Sequence, residues 1–218
     1  MDIYAHRGVH GTEATENTIE AFRLARESGA DGFETDLRHT ADGKVVLFHD
    51  HAVQGRPVAD LSLDDLRRLT GVDVPTLNDL LDAGLGMSWN AEIKTMEAWT
   101  IARDDLRAHR HDILVTSFIH KIAVTAAATG FRSGILQASS PAIGAPLQPS
   151  SPLLDLVVCD WKVVDQDVVD EYRRVGWRFG TYGTISADEH RRAVGMGMDL
   201  LITDCVGHGI AAKEACPS

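Results

Sequence analysis

The sequence predicts an α/β fold, a single (β/α)8 TIM barrel with a β-hairpin after the second strand. Two observations support this prediction. Short apolar runs alternate with amphipathic segments along the 218 residues, and strands that alternate with helices indicate a parallel sheet. The runs number eight, which is the number that closes such a sheet into a barrel. The chain is shorter than the ~250 residues typical of that fold, so we expect residues 1–218 to form one domain.

The apolar runs are the predicted barrel strands. Each is short and is bounded by polar, glycine or helix-start residues, as expected for strands buried in a parallel sheet. They comprise residues 3–5, 32–37, 88–93, 113–116, 134–137, 156–159, 178–182 and 199–203.

Helix-start signals precede most of the segments between these runs. Most are a Ser, Thr or Asn that stands three residues before an acidic residue, the arrangement of a capping box. The predicted capping residues are Asn17, Ser62, Thr76, Asp165 and Ser186. Gly29 and Gly176 are expected to end the first helix and the helix after Asp165.

Residues 44–49 form an additional apolar run that does not fit the alternation. Only residues 41–43, Ala-Asp-Gly, separate it from the second strand. Parallel strands need a crossover of about a dozen residues, whereas an Asp-Gly turn joins antiparallel strands. A two-residue loop would pair Asp36 with His49, and a three-residue loop would shift the pairing by one position. In both cases His49 is expected near the mouth of the barrel.

Composition argues against several classes of function. The net charge of −11 argues against a nucleic-acid partner, because phosphate backbones bind basic surfaces. Cys159, Cys205 and Cys216 are too few and too widely spaced to indicate a disulfide framework or a zinc site. No signal-peptide pattern and no run of ~18 apolar residues is present. We therefore expect a soluble cytoplasmic protein without a transmembrane segment.

Polar side chains stand where the predicted strands end, and active sites of (β/α) barrels lie at these ends. Glu34 and Asp36 are two residues apart on one strand and so point the same way, as do Glu92 and Lys94. Three carboxylates at one mouth would repel one another unless a cation lay between them. An all-oxygen ligand set favours Mg²⁺ or Ca²⁺.

Histidines follow the first strand and the hairpin, at His6 and His49. Two histidines beside a metal suit one proton acceptor and one proton donor. Each feature alone has an ordinary explanation: a histidine can be a satisfied buried side chain, Lys94 can extend along the surface, and Asp204 can cap the next helix. Their joint position at strand ends is what indicates an active site.

The order of motifs along nearly the whole chain closely resembles that of glycerophosphodiester phosphodiesterases. The motifs are His6-Arg7-Gly8, Glu16-Asn17-Thr18, Ala21-Phe22, Gly29-Ala30-Asp31, Glu34-Thr35-Asp36, Thr40-Ala41-Asp42-Gly43, His49-Asp50, Pro75-Thr76-Leu77, Glu92-Ile93-Lys94, Ser117-Phe118 and Leu200-Leu201-Ile202-Thr203-Asp204. The resemblance implies a (β/α) barrel that hydrolyses phosphodiesters such as glycerophosphocholine to glycerol 3-phosphate and an alcohol. By this resemblance the ligands of a divalent metal are Glu34, Asp36 and Glu92, the acid–base pair is His6 and His49, and the phosphate contacts are Arg7 and Lys94.

Departures from the family pattern concern the alcohol portion of the substrate. Thr15 replaces a usual proline, residues 51–74 form only a short insertion, and Tyr182-Gly183-Thr184 replaces a motif that contains tryptophan. A lysophospholipase D or sphingomyelinase D-like phosphodiesterase is the main alternative, favoured by an exposed apolar mouth or an apolar proline-rich loop at 139–152. A non-catalytic binding module is a further alternative, although such a module would be expected to have lost catalytic positions.

Overall fold

The computed structural model describes residues 1–139 and 149–216. Its strands are β1 (Asp2–Ala5), β2 (Gly32–His39), β3 (Val45–Leu47), β4 (Ala52–Val53), β5 (Arg56–Pro57), β6 (Ser88–Ile93), β7 (Ile113–Ser117), β8 (Arg132–Gln137), β9 (Leu154–Asp160), β10 (Arg178–Thr184) and β11 (Leu200–Thr203). Its α-helices are α1 (Ile19–Glu27), α2 (Leu63–Thr70), α3 (Leu77–Asp82), α4 (Met96–Leu106), α5 (His120–Ala128), α6 (Gln166–Arg174), α7 (Ala187–Gly195) and α8 (Val206–Ala215).

Eight of these strands form a closed parallel barrel in chain order, which confirms the predicted fold. The barrel consists of β1, β2 and β6 to β11, and β1 closes the ring because it pairs with both β2 and β11. Alternation along the strands sends one set of side chains inward, where apolar residues fill the barrel below its mouth. The inward apolar residues are Tyr4, Leu114, Leu136, Leu156, Val158, Leu200 and Ile202.

The outward side chains of the barrel pack against the helices. Phe33 on β2 lies between Phe22 of α1 and Trp89 of β6, with ring centroids 4.2 Å and 5.9 Å away. All three rings are buried, and burying each large aromatic side chain stabilises the fold by roughly 1.5–3 kcal/mol. This cluster fixes β2 and β6, the two strands that carry the predicted metal ligands.

The predicted hairpin is present as β2 and β3, but its loop has three residues rather than two. Thr40 and Lys44 pair across the loop, with Thr40 N donating to Lys44 O at 2.9 Å. Gly43 has a φ of +73°, a left-handed conformation that glycine adopts at little steric cost. This glycine allows a loop of residues 41–43, a common hairpin loop length.

The loop length shifts the hairpin register by one position. Phe48 N donates to Asp36 O at 2.9 Å, so of the two pairings left open by the sequence the one for a three-residue loop is found, and Asp36 does not pair with His49. His49 is the next residue along the chain, and its carbonyl oxygen accepts a hydrogen bond from Arg38 Nε at 2.8 Å. The hairpin thus still brings His49 to the mouth of the barrel, as expected for either loop length.

Helix capping follows the sequence at all but one of the predicted positions. The side chains of Ser62, Thr76, Asp165 and Ser186 cap helices as predicted. The prediction for Asn17 is wrong, because the cap of α1 is Thr18, whose hydroxyl accepts from Ala21 N at 3.3 Å. Asn17 has a φ of +57°, and its side chain is bonded to the second strand instead.

Three other predictions concern the cysteines, membrane spans and the proline-rich connection. Cys159, Cys205 and Cys216 are free cysteines. None of the helices in residues 1–139 and 149–216 is long and apolar enough to cross a bilayer. Most of the predicted proline-rich connection at 139–152 lies outside the described residues.

Candidate active site

An acidic triad lies at the carboxyl end of the barrel. Glu34 and Asp36 point inward from β2, and Glu92 points inward from β6, which pairs with β2 in register Asp36 to Glu92. One oxygen atom from each of the three carboxylates lies within 4.8 Å of the others. The sequence predicted this convergence, and the arrangement is a possible site for a divalent cation.

Glu34 is buried, and one of its two carboxyl oxygens has no hydrogen-bond partner among the described residues. Its Oε2 accepts from the backbone N–H of Arg7 at 3.0 Å. Its Oε1 is buried and has no hydrogen-bond partner among the described residues. Burial, followed by the charge of Asp36, raises the pKa of Glu34 to about 8. A buried carboxylate with an unpartnered oxygen is a suitable ligand for a hard cation.

Asp36 differs from Glu34 because polar groups surround it. Asn17 Nδ2 donates to its Oδ2 at 2.8 Å, Arg7 Nε lies 3.2 Å from the same oxygen, and Lys94 Nζ lies 2.8 Å from Oδ1. Burial alone would raise the pKa of Asp36, but the charges of Lys94 and Arg7 outweigh burial and lower it. Asp36 is therefore ionised at neutral pH.

Lys94 lies between two members of the triad, since its ammonium contacts both Asp36 and Glu92. Burial lowers the pKa of Lys94, but the two carboxylates outweigh it and the net shift is upward. For Glu92, burial is the largest influence on the pKa, and with Asp36 it outweighs Lys94 so that the net shift is upward. Lys94 thus remains a fixed positive charge at the edge of the acidic triad.

A tight turn after β1 holds Arg7 against this cluster. Arg7 has a φ of +54° and Gly8 a φ of +81°, and a Cβ atom at Gly8 would lie 2.6 Å from the backbone of Ala21. Arg7 Nη1 donates to Glu16 Oε1 at 2.9 Å, while Nε faces Asp36. Arg7 lines the cavity described below, but carboxylates already pair its guanidinium on two sides.

Both predicted catalytic histidines reach one cavity. His6 Nδ1 lies 2.7 Å from Asp204 Oδ1, and its Nε2 lies 3.9 Å from Glu34 Oε2. His49 Nδ1 lies 2.9 Å from Asp50 Oδ1. The cavity has a volume of about 200 Å³. The part of its lining that we call the charged wall consists of His6, Arg7, Glu34, His49, Glu92 and Lys94.

The opposite side of the cavity is apolar, and we call it the aromatic wall. It consists of Phe118, Leu136, Tyr182 and Ile202. Phe118 and Tyr182 meet edge to face with ring centroids 6.0 Å apart, and the Tyr182 hydroxyl donates to Gln137 O at 3.4 Å. The motif of residues 182–184, singled out as a departure from the family pattern, thus contributes an aromatic ring to the cavity.

Two polar residues next to the site were given no role in it from the sequence. Asp204 was placed among the strand-end residues but was most readily explained as a helix cap; α8 begins after Cys205 without a side-chain cap, and the Asp204 carboxylate contacts His6 Nδ1. Its place at the end of β11 was the signal in the sequence, as it was for the other site residues. Asn17 was interpreted as a cap of α1, and only its place in the Glu16-Asn17-Thr18 motif could have linked it to Asp36.

Residues 6–138 match the sequence model of the glycerophosphoryl diester phosphodiesterase family. The match covers more than half of the 218 residues and includes the acidic triad, Lys94 and both histidines. The chain belongs to this family. The resemblance identified from the order of motifs is thereby confirmed.

Named relatives agree with the family but match only part of their length. A glycerophosphodiester phosphodiesterase of Caldanaerobacter subterraneus is 35% identical over 95 residues, which are 37% of this chain and 39% of the relative. Glycerophosphodiester phosphodiesterase 1 of Bos taurus is 45% identical over 75 residues, 32% of this chain and 22% of the relative. The matches therefore span well under half of these relatives.

Solved structures share the fold over almost the full length of the chain. A glycerophosphodiester phosphodiesterase from Parabacteroides distasonis superposes with a TM-score of 0.82 at 20% identity, covering 98% of this chain and 97% of the other. A phosphodiesterase from Oleispira antarctica, solved with the product sn-glycerol-3-phosphate, has a TM-score of 0.83 at 21% identity, with coverage of 98% and 97%. At this identity the likeness shows the fold.

Proposed function

We propose that the chain is a phosphoric diester hydrolase that converts glycerophosphodiesters to glycerol 3-phosphate and an alcohol, with Mg²⁺ or Ca²⁺ as its metal. The observation that carries this proposal is the acidic triad of a family member, beside one cavity that Glu34, Glu92, Lys94 and the two histidines line. The product found in the Oleispira structure is further support, since it is glycerol 3-phosphate.

The donor set fits a hard divalent cation. Glu34, Asp36 and Glu92 would hold it, and the unpartnered Glu34 Oε1 is an oxygen that a cation would satisfy. When bound, such a metal supplies positive charge that polarises a phosphoryl oxygen and stabilises the charge that develops on it during displacement.

The side chains of the chain would supply positioning, charge and proton transfer. Lys94, on the cavity wall, would neutralise charge on the phosphoryl oxygens. One of His6 and His49 would take a proton from the nucleophile, and the other would protonate the leaving oxygen. The nucleophile is either water or a neighbouring hydroxyl of the substrate. Attack by the hydroxyl would form a cyclic phosphate, which water would then open. Arg7 is already paired with Glu16 and Asp36 and would hold this cluster in place, in addition to contacting the phosphate.

A second candidate is a lysophospholipase D-like or sphingomyelinase D-like activity, and one observation favours it. Loops at the mouth expose apolar side chains, with exposures of 45% for Phe118, 42% for Ile119 and 63% for Ile185. Such side chains suit a substrate that carries an acyl chain. The acidic triad and the histidines would serve both reactions, so the difference lies in the alcohol and lipid portions.

Product analysis distinguishes these candidates. The wild type would be incubated with glycerophosphocholine, glycerophosphoethanolamine, glycerophosphoinositol and lysophosphatidylcholine, with Mg²⁺ or Ca²⁺, and followed by ³¹P NMR. The proposal expects glycerol 3-phosphate from the first three. Turnover of lysophosphatidylcholine alone would favour the second candidate, and turnover of none would favour a binding module. A Glu92→Gln preparation made in parallel controls for contaminating phosphodiesterases.

We also propose that residues 1–218 act as one catalytic domain and that this domain works in the cytoplasm without a nucleic-acid partner. Activity of the chain expressed by itself tests whether residues 1–218 act as one catalytic domain. Cell fractionation with an antibody to the chain tests the cytoplasmic location. The net charge of −11 supports the absence of a nucleic-acid partner, and a filter-binding assay tests it.

A further inference from the structure

We propose that Asp204 is a positioning residue for His6. The Asp204 carboxylate fixes the tautomer of the His6 ring and turns Nε2 toward the cavity. The catalytic meaning of this contact rests on the proposed function, whereas the contact itself does not. It also gives the two histidines different roles, which the residue types alone leave open.

The hydrogen bond between these residues has only one direction. Asp204 Oδ1 lies 2.7 Å from His6 Nδ1, and its hydrogen bond with His6 is the largest cause of a lowered Asp204 pKa. Asp204 is therefore an ionised carboxylate, which accepts hydrogen bonds and cannot donate them. The proton must be on His6 Nδ1. In the neutral ring, Nε2 then carries a lone pair on the side that faces Glu34.

The pairing of β11 with β1 fixes the backbone next to Asp204. His6 N donates to Thr203 O at 3.0 Å, and Ala5 pairs with Thr203 in the parallel register of β1 and β11. The two residues that form the contact therefore follow directly from paired positions on adjacent strands. Closure of the barrel brings them together across 198 positions of sequence.

A buried histidine anchors the same strand end from the other side. His190 Nδ1 lies 2.6 Å from Ser186 O, and its Nε2 lies 2.9 Å from Thr203 Oγ1. A carbonyl oxygen only accepts, so Nδ1 carries the proton and Nε2 can accept from the hydroxyl of Thr203. His190 is fully buried. The Asp204 side chain is 46% exposed. The backbone that carries it is nevertheless held on one side by β1 and on the other by His190.

The corresponding contact at His49 is less constrained. Asp50 is the neighbour of His49 in sequence, its side chain is 68% exposed, and the distance between the two groups is 2.9 Å. Asp50 lies three residues beyond the hairpin strand β3, whereas Asp204 directly follows the barrel strand β11. The structure therefore supports a fixed orientation for His6 more strongly than for His49.

This orientation suits His6 to the role of base, because Nε2 of the neutral ring offers its lone pair to the cavity, and the proposal assigns the proton transfers accordingly. The lone pair of His6 Nε2 takes the proton of the nucleophilic hydroxyl, whose oxygen forms the new bond to phosphorus. The bond from phosphorus to the leaving oxygen breaks, and that oxygen keeps the electron pair and receives a proton from His49. Asp204 holds the His6 ring throughout and takes no proton, as a carboxylate that orients a catalytic histidine does.

Long-range ¹H–¹⁵N NMR of the full chain with Mg²⁺ reads the tautomer directly. The His6 ring is assigned by its absence from the spectrum of His6→Ala. In the wild type the neutral ring should carry its proton on Nδ1. In Asp204→Asn the side-chain amide can donate to Nδ1, so the Nε2–H tautomer should grow. Its kcat should fall by about tenfold or more, up to the 10²–10⁴ that a positioned acid or base contributes as a whole, while KM changes less than about twofold.

His10 provides a matched control, because its Nε2 lies 3.4 Å from the same Asp204 oxygen. His10→Ala should leave the His6 tautomer and kcat near wild type. Asp204→Glu should recover part of the kcat lost in Asp204→Asn. An unchanged tautomer in Asp204→Asn would overturn the proposal, as would a kcat within about twofold of wild type. If the wild type hydrolyses no substrate, the proposed function fails, and the NMR result still decides the role of Asp204.

Discussion

The charged wall and the aromatic wall of the cavity hold their side chains by different kinds of contact. On the charged wall, Glu34 accepts from Arg7 N at 3.0 Å and Lys94 Nζ lies 2.8 Å from the adjacent Asp36. Asp36 is in turn held by Asn17 at 2.8 Å and by Arg7 at 3.2 Å. On the aromatic wall, Phe118 is 45% exposed and touches Tyr182 through ring contact. The first wall is rigid and directional, while the second offers apolar surface with few directional partners.

This difference suggests a division of labour between the two walls. Directional polar contacts discriminate strongly, because a mismatched partner leaves a buried polar group unpaired. Apolar contacts discriminate weakly, at ~1–3 kcal/mol for about one methylene. We therefore expect the charged wall to act on the phosphate common to all substrates and the aromatic wall to accept different alcohols.

The largest effects should come from the acidic triad. Glu34→Gln, Asp36→Asn and Glu92→Gln should each lower kcat/KM by roughly 10⁴-fold or more, because metal stabilisation of phosphoryl charge is worth several kcal/mol. Calorimetric Mg²⁺ titration should show weakened binding in the same variants. Glu13→Gln is the control, since Glu13 is an exposed acid on the loop after β1. Full activity in Glu34→Gln would remove the triad from the mechanism.

The histidines come next. His6→Ala and His49→Ala should each lower kcat by about 10²–10⁴, the usual contribution of a positioned acid or base, with little change in thermal stability. His10→Ala, His39→Ala and His51→Ala should lose much less. Steady-state kinetics and thermal unfolding measured on the same preparations check this. If His51→Ala lost as much activity as His49→Ala, the neighbourhood assigned to the hairpin would be wrong.

Lys94→Ala should have a smaller and uniform effect. The variant removes a hydrogen bond to a charged group, worth about 1.5–3 kcal/mol, so kcat/KM should fall by about 10- to 100-fold. The factor should be similar for every glycerophosphodiester, since Lys94 belongs to the charged wall. Measuring the ratio of variant to wild type across the substrates tests this, and a loss that depends on the alcohol would contradict the division between the walls.

The smallest effect is expected on the aromatic wall. Phe118→Ala removes a half-exposed apolar contact, so kcat/KM should fall less than about tenfold, or ~1.4 kcal/mol. The loss should appear mainly in KM and should vary with the alcohol. Val124→Ala, an equally exposed apolar change on α5, is the control. An equal loss of kcat for all substrates would place Phe118 in the chemical step instead.

The sequence predicted what depends on local pattern. The barrel strands could be found from alternating apolar runs, and the triad from acidic residues two apart at strand ends. Ser62, Thr76 and Ser186 were found from three-residue spacing. These features can be predicted because strand alternation and helix caps depend on residues that are close together in the sequence.

Contacts between distant residues could not be predicted in the same way. Asp204 meets His6 only because the barrel closes, and no local pattern distinguishes that role from capping. Asn17 was predicted to cap α1, but its side chain donates to Asp36 across the fold, and its neighbour Thr18 caps the helix instead. The hairpin register depended on whether Gly43 ends a two-residue or a three-residue loop, which the dipeptide Asp-Gly leaves open.

We expect one charged wall, with its metal, to act on the phosphate of many glycerophosphodiesters. This expectation is tested by kcat/KM of the wild type on glycerophosphocholine, glycerophosphoethanolamine and glycerophosphoinositol, with Mg²⁺ and with excess chelator. We predict values within about tenfold of one another, ~1.4 kcal/mol, and loss of all three activities in chelator. Full turnover in chelator, or one alcohol preferred a hundredfold or more, would contradict the account.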